Sequence, residues 1–212
     1  MRPVVPISLP TLALLAAFTV GWPRVAVASS AQELVREARA HDAAHKEELA
    51  LRRYSEALSL DPTLADAYLG LGELRARRGD AREAERVYSV AMEHVPGLQA
   101  AMAGRARARW QLGFRDEAEK DLWAYVLGTD DKAAMRELAG WFGEEGKAPA
   151  QLATWRRLLA VAERTADVTL VREARSTVRA LQIMVGPADP VSAPVEGDDV
   201  RRAVARVAKR GG

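Results

Sequence analysis

An all-α stack of helix pairs is the fold this sequence predicts, and three periodicities predict it. Ala50, Ala84 and Ala118 recur at a constant interval of 34, and Tyr54, Tyr88 and Leu122 recur in the same register. Pro62, Pro96 and Asp130 form a second such series, and the small residues Ala38, Gly72, Ala106 and Gly140 a third, with the same period. A fixed self-similarity of this length marks one supersecondary unit copied along the chain, each copy covering an apolar face that its neighbour cannot bury alone.

Within a unit the apolar positions fall at helical spacing on either side of a breaker, Gly79 or Gly113, and Pro or Asp closes the pair. Each unit therefore reads as two amphipathic helices joined by a tight turn. Packed helices approach to roughly 8–10 Å, and where backbones come closest only Gly or Ala fits, which accounts for the small residues. The units run over 31–64, 65–98, 99–132 and 133–166. In the fourth, Gly140 keeps the register and the following turn is one residue short, which brings Trp155 into the aromatic slot and Leu158 into the next. A last helix over 167–185, with Leu170, Ala174, Val178, Leu181 and Met184 near one face, is predicted to cap the stack.

The segment Ala65 to Leu98 carries Tyr68, Leu71, Gly72, Gly79, Ala84, Tyr88, Ala91 and Pro96 at the signature slots of the tetratricopeptide repeat (TPR), and residues 31–166 resemble that family. The outer copies depart from it. Glu37 and His41 hold slots that are usually apolar or aromatic, and Tyr125 stands where Ala is usual. The resemblance implies a TPR-type α-solenoid of about four repeats plus a C-terminal capping helix, whose first helices line a concave groove. The family's ligand-contact slots map onto Val35, Arg39 and Asp42, then Asp66, Leu69, Glu73 and Arg77, then Arg107, Trp110 and Gln111, then Glu137, Trp141, Glu144 and Glu145. Arg39, Leu69, Arg77, Arg107, Trp110 and Trp141 are the candidate partner-binding residues, because Trp and Arg dominate binding hot spots. Trp110 and Trp141 have an alternative role as packing between adjacent units, the role expected of Tyr54, Tyr88, Trp123 and Trp155. The chaperone-tail clamp of one TPR subset needs paired Lys and Asn; Val35, Arg39, Leu69 and Glu73 replace them here.

Residues 1–28 read as a secretory signal peptide: Arg2, an apolar run from Ile7 to Val20, and the Ala26-Val27-Ala28 cleavage pattern ahead of Ser29. The expected location is periplasmic or extracellular, after cleavage near Ala28. The whole chain has 31 basic and 29 acidic residues, and removing Arg2 and Arg24 balances them. Such an interspersed surface lacks the basic face that nucleic acid requires. With no cysteine there is no disulfide framework and no thiolate nucleophile.

No phosphate-binding glycine loop, nucleophile elbow or H-E-x-x-H is present. His41 and His45, four positions apart with Glu48 beyond them, are the only candidate metal pair, and His45 falls near the expected turn. No cofactor and no catalytic group are expected. Residues 186–212 read as a linker with Pro187, Pro190 and Pro194, then a basic segment in which Arg201, Arg202, Arg206, Lys209 and Arg210 surround Val200, Val204 and Val207. Membrane contact is expected only through that segment. The sequence thus predicts a non-enzymatic scaffold that binds a protein or peptide in the bacterial cell envelope, or alternatively an assembly subunit that self-associates through its end repeats.

Overall fold

A computed structural model describes residues 22–186 of the chain, with side-chain environments from Ser30 onward. The described residues form nine helices and no strand: α1 (Trp22–Ala43), α2 (Glu47–Leu60), α3 (Ala65–Arg77), α4 (Ala81–His94), α5 (Gln99–Gln111), α6 (Arg115–Gly128), α7 (Lys132–Glu144), α8 (Ala148–Arg164) and α9 (Val168–Val185). Most of the expected signal peptide lies outside the described residues; α1 starts at Trp22 and runs through Ala28. The expected basic segment, 200–210, lies outside them too. Two compact units divide the chain, the first ending at Leu71 and the second beginning at Gly72, within α3.

In the first unit α1 and α2 pack together, burying Ala31, Val35 and Ala38 from α1 and Ala50, Leu51, Tyr54 and Ala57 from α2. The ring of Tyr54 lies against Gly70: a Cβ there would sit 2.3 Å from the Tyr54 Cζ, closer than any real contact. Glycine at position 70 is thus a condition of this packing.

In the second unit successive helices from α4 to α9 pack as neighbours, with a smaller contact between α6 and α7. Leu122 and Val126 of α6, Met135, Leu138, Trp141 and Phe142 of α7, Leu158 and Val161 of α8 and Leu170 of α9 share one buried cluster. Each such side chain contributes roughly 1.5–3 kcal/mol on burial. Along α9, Leu170, Ala174, Val178 and Leu181 are buried as expected, whereas Met184, placed with them by its spacing, is exposed in the last turn. Tyr88 is held between two glycines, since a Cβ at Gly72 would approach its ring to 2.6 Å and one at Gly104 to 2.3 Å. Burial pushes the Tyr88 hydroxyl up to about 12, with the Glu73 carboxylate adding to the shift and the Arg107 guanidinium opposing it.

The turns inside the helix pairs share one geometry. His45, Gly79, Gly113 and Gly146 all have positive φ, and so does Ala166 before α9. In each turn the next N–H reaches back to the carbonyl five positions earlier: Lys46 to His41, Asp80 to Arg75, Phe114 to Arg109, Lys147 to Phe142 and Asp167 to Ala162, at 2.8–2.9 Å. This is the Schellman closure, which satisfies carbonyls that a helix end leaves open. Glycine is free to adopt it, and His45 is an L-residue in a slot that glycine fills in three of the other turns.

The register slips by one position ahead of the fourth pair. α3 and α5 begin at Ala65 and Gln99, an interval of 34, whereas α7 begins at Lys132, an interval of only 33 from α5. The turn residues Gly79, Gly113 and Gly146 repeat that sequence of 34 and then 33. The structural counterpart of Ala106 is therefore Ala139, 1% exposed, and not Gly140, where an added Cβ would meet nothing within 4 Å. The expectation that Gly140 marks a close helix approach is corrected accordingly. The shortening falls before α7, not in the turn that follows it.

Polar groups hold the helices where the Pro-closed pattern lapses. Asp131, the N-cap of α7, accepts from the backbone N–H groups of Ala133 and Ala134 at 3.0 Å and from the Tyr125 hydroxyl at 2.9 Å. Burial acts to raise its carboxyl, and these donors together with the Arg107 charge outweigh it and leave the group below its ordinary value. Arg157 of α8 donates from Nε to the Val126 carbonyl and from Nη2 to that of Leu127, at 2.8 and 2.9 Å, closing the end of α6.

Candidate functional site

The first helix of each pair carries the predicted contact slots. In the first unit Arg39 of α1 pairs with Asp66 of α3 at 2.9 Å, both side chains more than half exposed. The pair borders a surface cavity of about 470 Å³ lined also by Gln32, Val35, Arg36 and Leu64. Leu69 is half-buried on the same α3. Within this unit the fold brings Arg39 and Asp66 together at a cavity, and Val35, a predicted slot, forms buried wall.

In the second unit Arg77 is exposed near the end of α3. Arg107 of α5 grips Glu137 of α7, its Nε lying 3.1 and 2.9 Å from the two carboxylate oxygens. Arg107 keeps 45% of its side chain exposed, so this two-pronged grip faces solvent. Trp110 and Trp141 stack face to face, with ring centroids 4.3 Å apart and planes 5° from parallel. The Arg115 guanidinium carbon sits 3.7 Å from the Trp110 ring centroid, which with Trp141 on one face places Arg115 on the other. Trp141 is only 6% exposed and belongs to the buried cluster, whereas Trp110 packs against it from the edge. The stack joins α5 to α7, and the packing alternative for these two residues accounts for their geometry.

His41 lies in the last turn of α1 and His45 stands in the positive-φ turn beyond it, so the two imidazoles do not share one helix face. Among the described residues no group of three His, Asp or Glu is placed to hold a metal ion.

Sequence reading missed two features of the second unit. One is an ion network in which Asp121 of α6 accepts from Arg105 through both oxygens and from Arg109, each at 2.8 Å, while Arg109 also donates to Glu85 of α4. Asp121 is 9% exposed. Its sequence signal is weak, because charged residues on a helix usually face solvent. The other is a cavity of about 360 Å³ lined by Asp116, Glu119, Lys120, Trp123, Phe142 and Ala150. There Lys147 donates to Glu119 Oε2 at 2.7 Å and to Asp116 at 3.3 Å, and it lies 3.2 Å from Glu145. These hydrogen bonds, that to Glu119 first, raise the Lys147 ammonium well above its ordinary value.

No known family's sequence profile matches the chain, and no curated protein matches it. Solved structures do. MamA superposes with a TM-score of 0.58 at 14% identity, over 86% of this chain and 88% of that one. YrrB, described as a TPR protein with an unusual peptide-binding site, gives 0.56 at 17% identity, over 86% and 92%. TTC0263, a thermophilic TPR protein of Thermus thermophilus, gives 0.53 at 22% identity, over 69% and 80%. The chain has the all-α, TPR-type solenoid fold that its repeats imply.

Proposed function

We propose that this protein is an exported, non-enzymatic scaffold of the bacterial cell envelope that holds a protein or peptide ligand on the face of its first helices. The observation that carries this reading is the pair of solvent-facing Arg–carboxylate contacts, Arg39–Asp66 and Arg107–Glu137, in which Arg39, Asp66 and Arg107 stand at predicted contact slots, while the slip of one position takes Glu137 out of its slot. An exposed pair of this kind contributes at most about 1 kcal/mol to folding, so exchanging its partner for a ligand's carboxylate or carbonyl costs the protein little. Preformed helices lower the entropic cost of ordering that ligand. The description of YrrB as having a peptide-binding site agrees with a peptide as ligand. Export rests on the sequence of residues 1–28. Among the described residues no helix is long and apolar enough to cross a membrane.

The test is affinity capture from envelope extract with the chain beginning at Ser29, beside an Arg39→Glu, Arg107→Glu variant. These two arginines suit the purpose because both are exposed, whereas replacing Trp141 would empty part of the core. A partner held by the parent and lost by the variant supports the reading. Equal capture by both chains removes the first-helix face as the site, and a chain retaining residues 1–28 inside the cell removes the export.

A further inference from the structure

α9 is covered on one side and bare on the other. Leu170, Ala174, Val178 and Leu181 are buried, with Val178 and Leu181 packed on Leu152 of α8. On the opposite side Val168, Arg172, Arg179 and Ile183, at successive steps of four, seven and four positions, line up as one stripe along the helix. Val168 and Ile183, at 69% and 79% exposed, are with Met184 the most exposed large hydrophobic side chains among the described residues. The charge on this side has one sign. Glu173, the only carboxylate of α9, is engaged by Arg136 of α7, and Arg175 is engaged by Glu163 of α8 at 2.7 Å. Arg172 and Arg179 are exposed and meet no carboxylate of the described residues. At about 1.5 Å per residue these two arginines stand roughly 10 Å apart along the axis, between apolar ends roughly 22 Å apart.

Neither a further repeat nor a second copy of this helix fits the stripe. Counted from the starts of α3, α5 and α7, the eighth residues are Gly72, Ala106 and Ala139, whereas that of α9 is Arg175. A long cation at the place of closest approach stops another helix from packing as the earlier ones do. Two α9 stripes laid face to face set arginine against arginine in either direction, because the spacing reads the same forwards and backwards, and like charges so placed repel. An acidic helix meets no such obstacle. Two carboxylates two turns apart, with an apolar residue one turn outside each, complement all four positions of the stripe, and each guanidinium can hold a carboxylate through two donors.

We propose that the bare face of α9 docks an acidic amphipathic helix of another protein, whose two carboxylates are held by Arg172 and Arg179 and whose apolar residues cover Val168 and Ile183. The arginines select the partner and fix its register, and burial of the two apolar ends anchors it. The face uses no residue of the Arg39–Asp66 and Arg107–Glu137 pairs, so it stands or falls apart from what those pairs bind.

The test uses the full chain and a fluorescent, alanine-rich peptide of sixteen residues, with leucine at its first and last positions and glutamate at its fifth and twelfth, read by anisotropy. A second peptide carries lysine in place of both glutamates. The parent is expected to bind the glutamate peptide at least ~10-fold more tightly than the lysine peptide, and Arg172→Glu with Arg179→Glu to invert that preference. Ile183→Ser is expected to weaken the glutamate peptide about 5-fold and to leave the preference for it in place. All three substituted positions are exposed, so the fold is kept. A parent that binds neither peptide overturns the proposal, as does a charge-reversed variant that keeps the parent's preference. Unchanged affinity of Ile183→Ser overturns it too, since the arginines are then a charged surface without a seat.

Discussion

Two parts of the second unit hold their helices together by different means. Around Tyr88 the contact is apolar and tight, a ring between Gly72 and Gly104 with no space for a methyl group on either. Around α6 the work passes to charge and hydrogen bonds: Asp121 gathers Arg105 and Arg109, Asp131 caps α7 while accepting from Tyr125, and Arg157 closes the end of α6. The first kind follows the repeat, because an aromatic slot and a small slot must recur together for units to stack. The second kind appears where the repeat loses one position, between the starts of α5 and α7, and Asp130 replaces the closing proline. Polar devices there secure a junction that the periodic pattern no longer specifies.

The polar side of this contrast breaks hardest at Asp121. Asp121→Ala leaves two partly buried guanidinium groups without their shared carboxylate, and urea unfolding is expected to show a loss of about 3–5 kcal/mol. On the apolar side, the Tyr88 hydroxyl remains protonated in the folded chain to about 12. Its unfolded counterpart ionises near 10, so above that pH the unfolded state binds fewer protons and stability falls. The Tyr88 contribution is complete below pH ~10 and roughly 2–3 kcal/mol is lost on approaching pH 12. Unfolding of the parent against Tyr88→Phe across that range isolates it, the Phe variant lacking this part of the slope.

Arg157→Ala opens the Val126 and Leu127 carbonyls and is expected to cost about 1–2 kcal/mol, with amide exchange quickening first in the last turn of α6. Smallest is a gain: His45→Gly relieves a left-handed turn conformation and raises stability by about 0.5–1 kcal/mol in the same urea assay. A loss on that change means that the His45 side chain stabilises the turn.

The legible part of the fold was the part written in short-range repetition. Tyr54, Tyr88, Ala50, Ala84 and Ala118 are all buried as their periodicity requires. Gly70 and Gly104 share the same interval and face Tyr54 and Tyr88, a further series that was available in the sequence and was passed over. Gly140 misled because a match of residue type outlasted the change of register. At the candidate site, the slots at Arg39 and Arg107 were readable from the resemblance, but their carboxylate partners came from other repeats, Asp66 and Glu137. The corner at Glu119 and Lys147 joins side chains from well-separated parts of the sequence, a proximity that no local pattern encodes.

One position is lost ahead of α7, so that Ala139 and not Gly140 occupies the close-packed slot. Urea unfolding of Ala139→Leu beside Gly140→Leu tests it directly. The slipped register predicts a loss of about 1–3 kcal/mol for Ala139→Leu, from overpacking, and no loss for Gly140→Leu, whose side chain enters open space in an exposed helix face. A destabilised Gly140→Leu beside an unaffected Ala139→Leu would contradict the account and restore the unbroken period of 34.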